Sequence, residues 1–360
     1  MDKIRVGLVG VGRGTAYGKV LYHHPHAMVT ALCDTNETVL QENAPGFDLG
    51  DYQLFTDYDK FLDSGLFDMV ILGTPIPFHE EQGTAALARN IHTLSEVTAA
   101  DSVEACMHIY ESVQKSKAKY MLAENCNYMH FVLEWKKYVD QDCLGQIHYA
   151  EGEYVHEIRA RVVDTDGHNL WRTKRAPLHY CSHSLGPILY WLDDYIVRGT
   201  GSGTSTHSLG NQGIGSIDMQ CALFETAKGR TIRLLRSSVS PRKPVWCGYG
   251  LYGTKGYIET EAYTTNEFAR AKRYFMETDA DVVKIETFAS APNATEEMKL
   301  GGHGSCEYYL IDEFIRAILE DRKPAIDIVK ALDMTIPGLI AHDCAMEGGV
   351  WKNMPDFYRP

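Results

Sequence analysis

The opening segment constrains this chain more than any other. An apolar run, Ile4–Gly10, leads into Gly10-Val11-Gly12-Arg13-Gly14-Thr15, and the pattern then turns helical. A lone Gly-x-Gly is a weak signal, since glycines punctuate many turns, but here a strand precedes it and a helix follows. Gly10 permits the tight turn, Gly12 lets the backbone approach a pyrophosphate, and the helix N-terminus offers N–H groups to the anion. The third glycine is out of register: Thr15 fills the sixth place of the Gly-x-Gly-x-x-Gly pattern, and Gly14 stands one earlier. The second apolar run, Met28–Asp34, ends in an acidic residue at about the separation, ~20 residues, at which a carboxylate meets the adenosine ribose. A carboxylate there accepts hydrogen bonds from ribose hydroxyls and repels a 2′-phosphate. The expected cofactor is therefore NAD, with NADP disfavoured; Arg13 is the neighbour whose charge suits a 2′-phosphate.

Further apolar runs follow at Asp68–Thr74, His92–Val97 and Lys119–Asn125, separated by helical patterns such as Ala16–His24, Glu80–Arg89 and Val103–Lys115. Apolar strands joined by helical crossovers predict a parallel sheet covered on both faces. From about Tyr128 the pattern changes. A helix over His130–Val139 leads into alternating stretches, Ile147–His156, Ile217–Glu225, Thr231–Ser238 and Gly248–Glu259. These predict a mainly antiparallel sheet with one open face, and Tyr308–Asp321 and Ile328–Met346 read as closing helices. Gly199–Gly215 reads as a strand with a loop. The expected architecture is α/β: a doubly wound Rossmann domain over residues 1–125, and a substrate-binding and oligomerisation domain with a large open sheet over 126–360.

The formal charge, −13, argues against nonspecific binding to nucleic acid or anionic membrane. No apolar run approaches the ~20 residues of a membrane span. The chain enters its first strand within a few residues of Met1, leaving no room for a signal peptide, and its nine cysteines include no Cys-x-x-Cys pair. Reduced thiols in the cytoplasm are the expectation. No metal is expected. His179 and His183 have a zinc-like i, i+4 spacing, but no third ligand is placed by sequence. His23-His24-Pro25-His26 reads as the solvated end of the first helix.

Gly73-Thr74-Pro75-Ile76-Pro77-Phe78-His79 and Leu94-Ser95-Glu96-Val97-Thr98, at the ends of the fourth and fifth strands, resemble the glucose–fructose oxidoreductase/inositol dehydrogenase/MocA (Gfo/Idh/MocA) superfamily. Its members show Thr-Pro-x-x-x-His and then Glu-Lys-Pro. The resemblance implies cofactor contacts at Thr74, Pro75, His79, Glu96 and Asn125, beside Gly10, Gly12, Arg13, Gly14, Thr15 and Asp34. Here Val97 replaces the lysine that commonly transfers the proton at the oxidised hydroxyl. A narrower resemblance accounts for that change. Ala123-Glu124-Asn125-Cys126-Asn127-Tyr128, Glu151-Gly152-Glu153-Tyr154-Val155-His156 and Tyr180-Cys181-Ser182-His183-Ser184-Leu185-Gly186-Pro187 look like glycoside hydrolase family 109, the NAD-dependent α-N-acetylgalactosaminidases, which carry Glu-Val-Pro. The resemblance implies a retained NAD that oxidises a sugar at C3, elimination of the C1 substituent, addition of water, and return of the hydride. It also implies roles for Tyr154, for the Tyr180-x-x-His183 pair and for His303 in Gly302-His303-Gly304.

The residues themselves leave alternatives open. Tyr180 and His183, three apart at a helix entrance, share a face, and an imidazole moves protons near neutral pH; a helix-entrance histidine satisfied by backbone fits the spacing equally well. His156 shares a strand face with Tyr154 and reads as a sugar contact or as a surface histidine. Trp171-Arg172 suits hydroxyls or a carboxylate, or covers a domain edge; His179 is the remaining substrate candidate. Three functions follow. The first is glycoside cleavage by oxidation, elimination, addition and reduction. The second is a plain NAD-dependent sugar or polyol dehydrogenase releasing NADH. The third is a dinucleotide-binding regulator without catalysis. The expected partner is a sugar or glycoside, and the expected state a homo-oligomer, a dimer or tetramer.

Overall fold

The computed structural model describes residues 3–243, 245–261 and 270–359. The opening Met1-Asp2, where the sequence reading starts, lies outside them. The chain forms two compact units, one of residues 1–128, 290–332 and 357–360, the other of residues 129–289 and 333–356. This corrects the single cut after residue 125. Segments distant in sequence return to the first unit, for example where the Leu122 N–H donates to the Ile326 carbonyl at 3.1 Å.

The first unit contains a parallel sheet of β1 (Ile4–Val9), β2 (Ala27–Cys33), β3 (Leu54–Phe55), β4 (Met69–Leu72), β5 (His92–Ser95) and β6 (Tyr120–Leu122), in the order β3-β2-β1-β4-β5-β6. Its crossovers include α1 (Val11–Tyr22), α2 (Glu37–Asn43), α3 (Tyr58–Leu62), α4 (His79–Ala88) and α5 (Val103–Lys115). The all-apolar β4, Met-Val-Ile-Leu, is buried throughout, as a strand covered on both faces must be. On one face Val9, Cys33, Val70 and Leu72 pack with Phe61, Phe67 and Ala86. The order reverses direction between β1 and β4, and in such sheets ligands gather at that switch point, beyond the carboxyl ends of the strands.

The second unit has nine strands, β7 (Ile147–Val155), β8 (Ile196–Gly203), β9 (Gln220–Thr226), β10 (Thr231–Ser237), β11 (Trp246–Gly253), β12 (Gly256–Thr260), β13 (Ala271–Phe275), β14 (Val283–Ile285) and β15 (Lys352–Asn353), in the order β14-β13-β12-β11-β7-β10-β9-β8-β15. Every described pairing is antiparallel except β7 with β10. The helix α6 (His130–Asp140) leads into this sheet, and α7 (Ser182–Leu192) lies over one face of β7 and β11. A Cβ added at Gly152 of β7 would stand 2.9 Å from Ser184 Cβ and 3.0 Å from Ile188 Cδ1, so the glycine lets the helix seat directly on the strand. The other face mixes Glu151, Glu153, Arg233 and Leu235, only partly buried, with the exposed Leu223. Among the described residues, no helix is long and apolar enough to cross a membrane.

Candidate functional site

In the first unit the glycine turn has the expected geometry. Gly10 has φ 74°, and a Cβ there would meet the Gly73 carbonyl carbon at 2.6 Å, so glycine alone closes the turn. A Cβ on the exposed Gly12 would meet nothing within 4 Å. The helix α1 starts here without a cap from Gly10 and without an acid in its first turn, which leaves its first-turn N–H groups beyond Val11 to an anion. Asp34 Oδ2 accepts the Val11 N–H at 2.9 Å and Oδ1 the Asn36 N–H at 3.0 Å, fixing the carboxylate beside the turn. Thr15, in α1, sends its hydroxyl 3.3 Å to the Gly12 carbonyl, and the buried Gly14 N–H closes onto the Gly10 carbonyl at 2.9 Å. This donor set fits a dinucleotide: open backbone for the pyrophosphate, a fixed carboxylate for the ribose.

Several residues expected at the cofactor are held by other partners. Arg13 Nε meets Glu96 Oε1 at 2.5 Å, and the same oxygen accepts the Tyr17 hydroxyl at 2.8 Å. Burial works against the Arg13 charge, but Glu96 and Tyr17 outweigh it and raise its pKa above the ordinary value. Arg13 is thus spoken for, and its expected suitability for a 2′-phosphate is corrected. Glu96 is likewise occupied, its Oε2 accepting the Val97 N–H at 3.1 Å. His79, only 1% exposed, has Nδ1 2.8 Å from the Thr98 carbonyl and Nε2 2.9 Å from the Thr74 carbonyl. It clamps together the segments that follow β4 and β5, and burial lowers its pKa. The Thr74 hydroxyl donates to Gln82 Oε1 at 2.5 Å, and Pro75 precedes the turn Ile76–Phe78. His303 Nδ1 lies 2.5 Å from Glu307 Oε1, to which Asn125 Nδ2 also donates at 3.4 Å. The bond to Glu307 raises the His303 pKa; burial favours a neutral Glu307, but the histidine bond outweighs it and holds the carboxyl below the usual range. Both shifts favour the charged pair.

In the second unit the fold gathers the other candidates. Tyr154 comes from β7, and α7, seated over Gly152, brings His183 beside it with ring centroids 5.5 Å apart. The Tyr180 hydroxyl lies 3.1 Å from His183 Nε2, and the Tyr154 hydroxyl 2.8 Å from His156 Nδ1. Burial pushes the His156 imidazole down to about 4, helped by the Arg236 and Arg161 charges. His156 is therefore a neutral partner of Tyr154, which corrects its reading as a surface histidine. His179 turns elsewhere. Its ring packs against His342 at 4.6 Å, and burial and then His342 push it down to about 3. The i, i+4 spacing of His179 and His183 thus leads to different neighbours. Trp171 carries the Arg172 guanidinium over its ring at 4.3 Å.

Sequence reasoning missed two arginines in this group. Arg236 of β10 pairs in register with Tyr154, is 2% exposed, and lies over the Tyr154 ring at 4.5 Å. Arg175, 6% exposed, lies over the Tyr180 ring at 4.3 Å. The signal for Arg236 was present: Ile232, Leu234 and Arg236 alternate onto the buried face, so an arginine stands where an apolar residue belongs. Arg175 lies in irregular chain with no period to betray it. Glu307 and Tyr17 were also missed, although His303-x-x-x-Glu307 has helical pair spacing.

The fold and the two sets of residues define an NAD-binding oxidoreductase scaffold joined to a polar, histidine- and tyrosine-lined second unit. Comparison with known proteins agrees. Residues 4–124 match the oxidoreductase family with the NAD-binding Rossmann fold, and residues 191–360 match the glycosyl hydrolase 109 C-terminal domain. The N-terminal segment thus matches the Gfo/Idh/MocA oxidoreductases and the C-terminal segment the family 109 C-terminal domain. A glycosyl hydrolase family 109 protein of Shewanella pealeana is 24% identical, the alignment covering 100% of this chain and 86% of the relative. A second such protein, from Shewanella baltica, is also 24% identical over 100% and 86%. A levoglucosan dehydrogenase solved with NADH and L-sorbose superposes with a TM-score of 0.84 at 16% identity, covering 99% of this chain and 100% of that one. An aldose–aldose oxidoreductase from Caulobacter crescentus, solved with glycerol, gives 0.80 at 17% identity over 98% and 100%. The structural likenesses speak for the fold.

Proposed function

We propose that the protein uses NAD to oxidise a sugar hydroxyl, at C3, as the redox step of glycoside cleavage. The observation that carries this reading is the Tyr180–His183 contact of 3.1 Å in a chain whose residue 97 is valine. Valine neither gives nor takes a proton, so the hydroxyl proton needs another acceptor, and a phenol hydrogen-bonded to an imidazole is one.

Bound NAD supplies a hydride acceptor that can return the hydride at the end of the cycle. The chain's own residues do the rest. Gly10 and Gly12 shape the turn for the pyrophosphate, and Asp34 holds the adenosine ribose. The Tyr180 hydroxyl takes the sugar hydroxyl proton and passes its own to His183 Nε2. The new carbonyl acidifies the proton on the adjacent carbon, and Tyr154 removes it while passing its own hydroxyl proton to His156 Nδ1, 2.8 Å away. The C1 substituent then leaves with the electron pair, and water adds in its place. Trp171 and Arg172 hold the sugar. His179 packs against His342. The NAD-loaded protein should release a hydrolysed sugar from a glycoside panel with no net NADH; steady NADH with a keto-sugar would select the plain dehydrogenase.

The same reading takes the protein as a cytoplasmic homo-oligomer. Nine cysteines without a Cys-x-x-Cys pair support a reducing compartment. Exposed Leu223 and the half-buried Leu235 on the outer face of the second sheet support self-association through that face.

A further inference from the structure

Several arginines elsewhere in the second unit are paired. Arg230 meets Asp194 at 3.2 Å, and Arg233 meets Glu151 at 3.0 Å and Glu153 at 2.5 Å. Arg172, Arg175 and Arg236 are the contrast. Among the described residues none of the three pairs with a carboxylate, in a chain whose net charge is −13. Arg236 spends its donors on the carbonyls of Tyr154, Tyr180 and Ser237. Among the described residues Arg175, 94% removed from solvent, makes no side-chain hydrogen bond; its guanidinium lies over the rings of Tyr180, at 4.3 Å, and Trp171, at 5.5 Å. Its Nε and that of Arg172 are sealed from water without an acceptor.

Burying a guanidinium without an acceptor is costly, and the buried Arg236 and half-buried Arg172 nearby add like charge to the cost for Arg175. Arg175 is pushed down to about 9 by burial and then by Arg236. Ring faces recover part of the cost, but they leave the planar N–H forks unmatched. Those forks fit the paired oxygens of a carboxylate, sulfate or phosphate. The arginines surround Tyr154 and Tyr180, so an anion held there would belong to the molecule on which those tyrosines act.

We propose that Arg172 and Arg175, in the field of Arg236, receive an anionic substituent of the substrate, a carboxylate or an O-linked sulfate or phosphate, so that the glycoside processed here is an acidic one. This rests on the function proposed above for the Tyr180–His183 site, but its first test needs no turnover.

Titration calorimetry on the NAD-loaded protein should show saturable binding of inorganic sulfate, displaced by a methyl glucuronide and not by the corresponding methyl glucoside. Arg175→Met and Arg172→Met should each weaken sulfate by about 10- to 100-fold. Arg175→Lys keeps the charge, loses the fork, and covers the case in which Arg175→Met does not fold; it should show an intermediate loss. Sulfate and glucuronide binding no tighter than the glucoside, or binding unchanged in Arg172→Met and Arg175→Lys, would overturn the proposal. Turnover supplies a second arm. The ratio of kcat/KM for acidic over neutral glycosides should fall in the variants by a similar factor. An equal loss on both substrates would assign the arginines to the tyrosines alone and also overturn it. Sulfate binding that depends on Arg175, in a protein that cleaves no glycoside, would keep the anion site and reject the reaction; carboxylate and sulfate esters of one sugar distinguish the two sources of charge.

Discussion

His156 and His179 keep their imidazoles neutral at pH values where the unfolded chain takes up protons. Their folded pKa values are pushed down to about 4 and about 3, chiefly by burial, against about 6.5 in an unfolded chain. Between about pH 6.5 and those values the unfolded state binds more protons than the folded one, so stability falls as pH falls through that window. The melting temperature should decline from pH 7 to pH 4.5, and His179→Gln should flatten the decline; identical slopes in both proteins would contradict the assignment. Sequence disclosed much at this scale. Gly10, Asp34, Tyr154, Tyr180 and His183 stand in an order that a strand, a turn and a helix entrance make readable. The partners of Arg13, Glu96 and His79 were not readable, because each is bound by a group that only the folded chain brings near. A motif position names the residue, and the contact depends on what else arrives.

At the scale of elements, legibility followed length and period. The helix read over Val103–Lys115 forms over those residues, where Ser102 caps the first turn by accepting the Ala105 N–H at 3.1 Å. Two-residue β3 and five-residue α3 carry too little sequence for a period to show. The stretch Gly248–Glu259 read as one strand because its residues suit a sheet on both sides of Thr254-Lys255; it is the hairpin of β11 and β12. Ile328–Met346 read as one helix and forms two, Ile328–Asp333 and Ile336–Met346, with Pro337 in the first turn of the second, where its missing N–H costs nothing. The element that matters most for the site is α7 on β7. Gly152→Val would drive a branched side chain into Ser184 and Ile188, and the misfit should destabilise the fold by about 1–3 kcal/mol. His183 would shift from Tyr154, so activity should fall further than stability requires. A variant with unchanged melting temperature and turnover would show that the close seat of α7 is unimportant.

At the scale of the whole molecule, the α/β class, the parallel first sheet and the mainly antiparallel second were all legible from the alternation of patterns. The return of residues 290–332 and 357–360 to the first unit was not, since local periodicity carries no information about which unit a helix joins. Association is predicted here as well: light scattering at micromolar concentration should report a dimer or larger, and Leu223→Glu should lower the mass, whereas a monomeric parent protein would remove the outer sheet face as an interface. The central claim is that this NAD-binding chain cleaves a glycoside through a transient ketone, with Tyr180 and His183 moving the proton. Turnover of a glycoside in deuterium oxide by the NAD-loaded protein tests it most directly. The account predicts deuterium on the carbon beside the transient ketone and no net NADH, with His183→Ala slowing the exchange by about 10²–10⁴-fold while NAD binding persists. A product without deuterium, or a wild-type exchange rate in both His183→Ala and Tyr180→Phe, would contradict it.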